Sequence, residues 1–175
     1  PEKAAPEPTT QAEAKAQPEA DPRELKLLFA GDTHFQWGVG ELQKRSGQLA
    51  PVASLLDVFA AADFRAVNLE TSIADQGKPF VRKSYIFNTP PENLKVLQAM
   101  QLDLALLGNN HSMDMGQIGM ERTVRALRRA GIGAVGVGNN QADAFTPYRF
   151  TLGGVRFAVL SASGIGERGA FGIGR

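Results

Sequence analysis

Residues 102 to 116 read Leu-Asp-Leu-Ala-Leu-Leu-Gly-Asn-Asn-His-Ser-Met-Asp-Met-Gly, and this stretch decides the fold. Leu102 to Leu107 is a short apolar run of the kind that forms a buried strand. From Gln117 to Ala130, Met120, Val124 and Leu127 recur at helical spacing. Arg122, Arg125, Arg128 and Arg129 fall mostly on the other side, and Gly131 supplies a stop. Between strand and helix, Gly108 to Gly116 crowds a glycine, two carboxamides, an imidazole and a carboxylate into one turn. Polar groups gathered beside a core are unfavourable unless they bind something. A polar turn with a helix cap is the plainer reading of the same residues.

The same strand-then-helix unit repeats outward. Leu25 to Ala30, between Pro22 and Gly31, reads as a buried strand. Pro51 to Ala62 carries Val52, Leu55, Leu56 and Phe59 at helical spacing, with proline near its start. Phe64 to Leu69 is a second strand. Thr89-Pro90-Pro91-Glu92 opens a helix that runs to about Met100, with Leu94, Val96 and Leu97 as its apolar side. Leu102 to Leu107 is the third strand and Ile132 to Val137 the fourth. This alternation predicts an α/β domain with a largely parallel sheet. Tyr148 to Leu152 and Val155 to Ser161 then flank Gly153-Gly154, a two-residue hairpin signal. An antiparallel pair after a parallel run suggests a second sheet. Because only glycine-rich sequence follows, from Gly164 to Arg175, the expectation is a domain truncated at its C-terminal side.

Composition narrows the function classes. The 175 residues suffice for one domain with a substantial core. A net charge of +1 gives no global pull towards nucleic acid or an anionic membrane. With no cysteine, disulfides and thiolate metal sites are excluded. No apolar run approaches the roughly 20 residues of a transmembrane helix. Residues 1–24 are rich in Pro, Ala, Glu and Gln and contain no aromatic side chain, so they are expected to form a disordered linker ahead of a domain spanning 25–175. The expected context is a tether downstream of a removed signal or anchor, which places the protein outside the cytoplasm; a plain disordered cytoplasmic tail is the alternative reading. Any membrane association then comes from a segment these residues do not contain.

In a parallel α/β sheet, ligands gather beyond the carboxyl ends of the strands. The first strand ends in Gly31-Asp32-Thr33-His34, the second in Asn68-Leu69-Glu70-Thr71, and the third in the opening turn with Asn109, Asn110, His111 and Asp114. Asp32 and His34, two residues apart, face the same way if strand geometry persists through them. Carboxylate, imidazole and amide donors suit a divalent ion such as Mn, Fe or Zn. His34 and His111 are the only histidines, and both lie at these strand ends. A dinucleotide-binding reading of Gly131 to Gly138 fails on order: it requires strand, glycines, helix, whereas Gly131 closes a helix.

Taken in order, Ala30-Gly31-Asp32-Thr33-His34, Asn68-Leu69-Glu70-Thr71 and Gly108 to Gly116 resemble the bacterial capsule-synthesis family of CapA type. Lys83-Ser84-Tyr85-Ile86-Phe87 before Pro90-Pro91, and Ala130-Gly131-Ile132 before Gly136-Val137-Gly138-Asn139, add weaker support. That family is associated with poly-γ-glutamate capsule. The resemblance implies a calcineurin-like metallophosphoesterase fold, a two-sheet αββα sandwich, of which Leu25 to Ser161 forms the N-terminal part.

It further implies two divalent ions (Mn, Fe, Zn or Mg) in the complete domain. Asp32 and His34 are implied as ligands of one, Glu70 as a bridging carboxylate and Asn110 as a ligand of the other. His111 is implied as general acid or charge stabiliser, with Asp114 orienting it and Asn68 and Asn109 supporting the ligands. Lys83 and Arg82 are placed to meet an anionic substrate, although a solvated loop cation is an equal reading. Two departures stand out: Glu70 replaces the aspartate commonest in phosphoesterases, and no histidine follows His111 to complete the site. Weak metal binding and little hydrolase activity are therefore expected of these residues alone. The substrate class is a phosphoester or an anionic polymer, with capsule synthesis or export proteins as partners. The competing function is a non-catalytic envelope protein that uses the same turns to bind the polymer or an export partner.

Overall fold

In the computed structural model, residues 24–79 and 83–164 are described. The expected linker lies outside them except for Glu24, as do Arg82 and the glycine-rich end from residue 165. The first strand, β1 (Leu27–Thr33), starts two residues later than the expected Leu25 and runs on through Asp32. Helix α1 (Trp37–Ser46) follows and was not foreseen. Its glycines, absent side-chain N-cap and lack of any buried residue give it almost no sequence signature. The helix expected over 51–62 is shorter, a 3₁₀ turn at Ala53–Leu55 leading into α2 (Leu56–Ala60).

Strand β2 (Phe64–Leu69) matches its expected bounds. Two short strands, β3 (Ser72–Ile73) and β4 (Asn88–Thr89), pair with each other and precede the 3₁₀ turn Pro91–Asn93 and α3 (Leu94–Ala99). Strand β5 (Leu104–Leu106) leads through the polar turn into α4 (Gly116–Arg129). Beyond α4 the Gly131 N–H bonds to Arg128 O and the Ile132 N–H to Leu127 O, closing the helix before β6 (Gly133–Val135). Helix α5 (Gln141–Ala144) is a single turn capped by the Asn140 side chain. The chain then forms the hairpin β7 (Tyr148–Leu152) and β8 (Val155–Val159). Both glycines of its two-residue loop have positive φ, as a primed hairpin turn requires.

The main sheet is parallel throughout, in the order β1-β2-β5-β6. Strand alternation sends its residues to two cores. Val67, Leu69 and Ala105 join Val96, Leu97, Met100 and Leu127 in the larger, helix-side core. Phe64, Ala66, Leu104 and Val135 pack on the other face against the hairpin, with Phe150 stacked on Phe64 at 4.0 Å and 8°. Leu69, Leu97, Leu104 and Leu127 are fully buried, each stabilising the fold by about 1.5–3 kcal/mol relative to exposure. The expected α/β class therefore stands, with a parallel sheet between helices and an antiparallel pair. That layering holds the carboxyl ends of β1, β2 and β5 side by side.

Candidate metal centre

The first strand end is shaped by an irregularity. β1 pairs with β2 in parallel register up to Ala30 opposite Val67, and then Asp32, not Gly31, stands opposite Asn68. Gly31 is thus an extra residue, a bulge that reverses the alternation and turns Asp32 to the side of Asn68. The Asn68 amide donates to Asp32 Oδ1 at 2.7 Å. His34 lies just past the strand, where its Nδ1 accepts the Gln36 N–H at 3.3 Å. The Glu70 N–H donates to Thr33 O at 2.9 Å, tying the end of β2 to that of β1.

The polar turn continues this chain of hydrogen bonds. Asn109 donates from its amide nitrogen to Asn68 Oδ1 and to Leu69 O, both at 3.0 Å. Its Oδ1 accepts the His111 N–H at 2.9 Å and the Ser112 hydroxyl at 3.0 Å. Ser112 also donates to Leu107 O. Side chains from the ends of β1, β2 and β5 are thereby locked into one network: Asp32, Asn68, Asn109 and the His111 backbone. Each buried amide is satisfied, which fixes the turn without orphaned groups.

His111 is held from two sides. Its Nδ1–H donates to Asp114 Oδ2 at 2.6 Å, and its ring lies flat on Phe87 at 4.0 Å and 9°. Asp114 also accepts the Phe87 N–H at 2.7 Å and pairs with Lys83 Nζ at 2.9 Å. Burial works against charge on Asp114, but the bonds from His111, Phe87 and Lys83 outweigh it and hold the carboxyl below its usual range. With Nδ1 committed as donor, Nε2 is the ring's free position, 4.0 Å from Glu70 Oε1. For Glu70 the balance is opposite. Burial pushes its carboxyl up, the Asp32 carboxylate adds to the push, and His111 and His34 only partly offset it.

Asp32, His34, Glu70 and His111 are thus within electrostatic reach of one another around Glu70. Among the described residues no group of three His, Asp or Glu side chains is close enough to hold a metal ion by itself. Asn110 is half-buried and its carbonyl accepts from Lys83, while its side chain has no partner among the described residues. Lys83 does not project from a solvated loop. Its side chain is 10% exposed and lies under the turn against Asp114.

Several residues at this site went unnoticed in the sequence. Phe87 both stacks on His111 and bonds Asp114, and its only signal in the sequence is its place in Lys83-Ser84-Tyr85-Ile86-Phe87. Trp37 makes edge contacts with Tyr85 at 5.4 Å, Phe87 at 5.0 Å and His34 at 5.5 Å. It does so at φ +53, although it is 58% exposed. Ser161, past β8, caps the turn from the far side by accepting the Gly108 N–H at 3.0 Å.

The family model described as bacterial capsule synthesis protein PGA_cap matches residues 26–170. The chain belongs to that family. A probable polyglutamine synthesis accessory protein of Mycobacterium tuberculosis is 34% identical over 102 residues, covering 58% of this chain and 27% of the relative. The PGA biosynthesis protein CapA of Bacillus subtilis is 27% identical over 148 residues, covering 83% of this chain and 39% of the relative. An uncharacterised protein of Sinorhizobium fredii is 32% identical over 116 residues, 63% of this chain and 25% of the relative. The chain therefore matches between a quarter and two fifths of the length of these curated relatives. Every residue of the strand-end network falls inside the PGA_cap match.

Proposed function

We propose that this PGA_cap protein acts in the synthesis of a poly-γ-glutamate-type capsule. In this reading the strand-end network is the protein half of a divalent-metal centre for hydrolysis or transfer at a phosphoester or amide bond. The observation that carries it is the pairing of Asp32 with Glu70. Burial, and after it the neighbouring Asp32 carboxylate, push Glu70 above its usual range, so the two carboxylates form a donor pair whose charge a cation would balance. Their oxygen chemistry, with imidazole and amide donors at hand, suits Mn, Fe, Zn or Mg. Bound divalent ions would supply Lewis-acid activation and neutralise charge at the reacting centre.

The chain's own residues then have distinct tasks. Asp32, His34, Glu70 and Asn110 bind, and Asn68 aims the Asp32 carboxylate through its 2.7 Å bond. Asp114 fixes the His111 tautomer so that Nε2 holds or moves the proton. Lys83 keeps Asp114 charged. The substrate is an anionic polymer or phosphoester, the place of action is the cell envelope outside the cytoplasm, and the partners are capsule synthesis or export proteins.

The test is Mn²⁺-dependent hydrolysis of bis(p-nitrophenyl) phosphate and of poly-γ-glutamate, beside calorimetric Mn²⁺ titration. Wild-type protein is compared with Asp32→Ala and His111→Ala. The reading requires metal binding to fall in Asp32→Ala, and turnover to fall in both variants. Equal turnover in variants and wild type removes the assignment. Retained polymer binding with no turnover in any of them selects a non-catalytic binder.

A further inference from the structure

A second feature lies apart from the strand ends. Arg122, Arg125 and Arg129 of α4 line a groove of about 440 Å³ between α3 and α4, floored by Ile73, Leu94 and Ala126. That volume lies within the span of ligand pockets. One acidic residue, Asp75, shares the lining, and it is ion-paired to Arg122 at 2.9 Å. Arg125 and Arg129 have no hydrogen-bonding or ion-pair partner among the described residues, and both are exposed. Among the described residues the groove therefore keeps two unmatched positive charges over an apolar floor.

Local structure accounts for only part of this. Arg129 sits in the last turn of α4, where a cation favours the helix dipole. Arg122 has Asp75. Arg125 lies one turn too early for the dipole, and it faces Arg129 at the i,i+4 spacing where like charges destabilise a helix. The fold gains nothing visible from a guanidinium at that position.

We propose that this groove binds an extended polycarboxylate, a chain of carboxylates joined by methylene segments. The helical rise separates Arg125 and Arg129 along the helix by about 6 Å, so two carboxylates of such a chain meet their two guanidinium forks, beside Arg122 held by Asp75. The apolar floor takes the methylenes. A densely charged polyphosphate has no group for that floor and would desolvate against it. None of these residues belongs to the strand-end network, so the groove stands independently of the metal reading.

The test is fluorescence anisotropy of a labelled ten-residue γ-linked glutamate chain, titrated with the full chain. Arg125→Gln/Arg129→Gln is expected to bind at least tenfold more weakly, with an unchanged thermal midpoint because both side chains are exposed. Binding by wild type weakens as salt rises. The proposal is overturned if wild type does not bind, if the double variant binds equally well, or if polyphosphate of the same length binds as tightly. Loss of Mn²⁺ affinity in Asp32→Ala reports on the strand ends alone, so either reading can fail without the other.

Discussion

His111 and Asp114 meet through a 2.6 Å contact between Nδ1 and Oδ2, three residues apart in one buried turn. The same carboxylate accepts from the Phe87 backbone and pairs with Lys83, so Asp114 joins the turn to the segment 83–87. Removing it takes the acceptor from the His111 ring and the Phe87 N–H and the counter-charge from Lys83. Asp114→Ala is expected to destabilise the protein by about 3–5 kcal/mol, the range for breaking one side of a buried ion pair. Denaturant unfolding measures this, and an unchanged midpoint would contradict the central place given to Asp114.

The same carboxylate sets a pH dependence. Its folded value lies below the ordinary one, so its stabilisation is fully present above the ordinary aspartate range, about pH 3.9, and is lost as pH falls through the folded value. The gap in thermal midpoint between wild type and Asp114→Asn should therefore be widest at neutral pH and shrink below about pH 4. A gap that is flat across this window refutes the assignment of charge to Asp114.

Glu70 runs the other way. Its folded value is raised, so the charged form weakens the fold above that value, and the penalty vanishes below the ordinary glutamate range. Without added metal, Glu70→Gln should melt above wild type at neutral pH and level with it near pH 4, about the ordinary glutamate value. Added Mn²⁺ should raise wild type and leave Glu70→Gln unmoved. A variant less stable than wild type at pH 7 without metal would show that burial and the Asp32 carboxylate do not penalise the Glu70 charge.

Gly108 tests how tightly the turn is seated. A Cβ placed there would come within 2.5 Å of the Ser161 carbonyl carbon and 2.6 Å of the Ala162 nitrogen, both backbone atoms that cannot swing aside. Gly108→Ala should cost about 1–3 kcal/mol, the range for overpacking. Amide exchange should speed up at Asn109 and His111 as the turn loosens. Wild-type stability in this variant would mean that the chain after β8 is not pressed against the turn.

Trp37 is the sole tryptophan, and its ring centre lies 5.5 Å from that of His34. Its fluorescence therefore reports on the strand ends alone. Paramagnetic Mn²⁺ should quench this emission in wild type and fail to do so in Asp32→Ala. Quenching that persists in the variant would move the metal away from Asp32.

Much of this was legible in the chain. Phe64 to Leu69, the α4 pattern and the Gly153-Gly154 hairpin all carry strong local signals, because a fully buried strand, an amphipathic helix and a two-glycine turn each write their physics into adjacent residues. Helix α1 carries no such mark, since no residue in it is buried and no side chain caps it. Phe87 was hidden for another reason: it reaches His111 across 24 positions of sequence, and stacking of that range leaves no periodic trace.

The sequence by itself determined the alternation of strands and helices, and with it the gathering of Asp32, Glu70 and the 108–116 turn at one end of a parallel sheet. Periodicity and strand topology suffice for that. Only the tertiary structure decided how those groups relate. The Gly31 bulge turns Asp32 onto Asn68, and Asn109 ties both to the turn; burial raises the Glu70 carboxyl, whereas at Asp114 the bonds from His111, Phe87 and Lys83 overcome burial. Hydrogen-bond direction, stacking and desolvation depend on distances between residues remote in the chain, and those distances exist only once the sheet has closed.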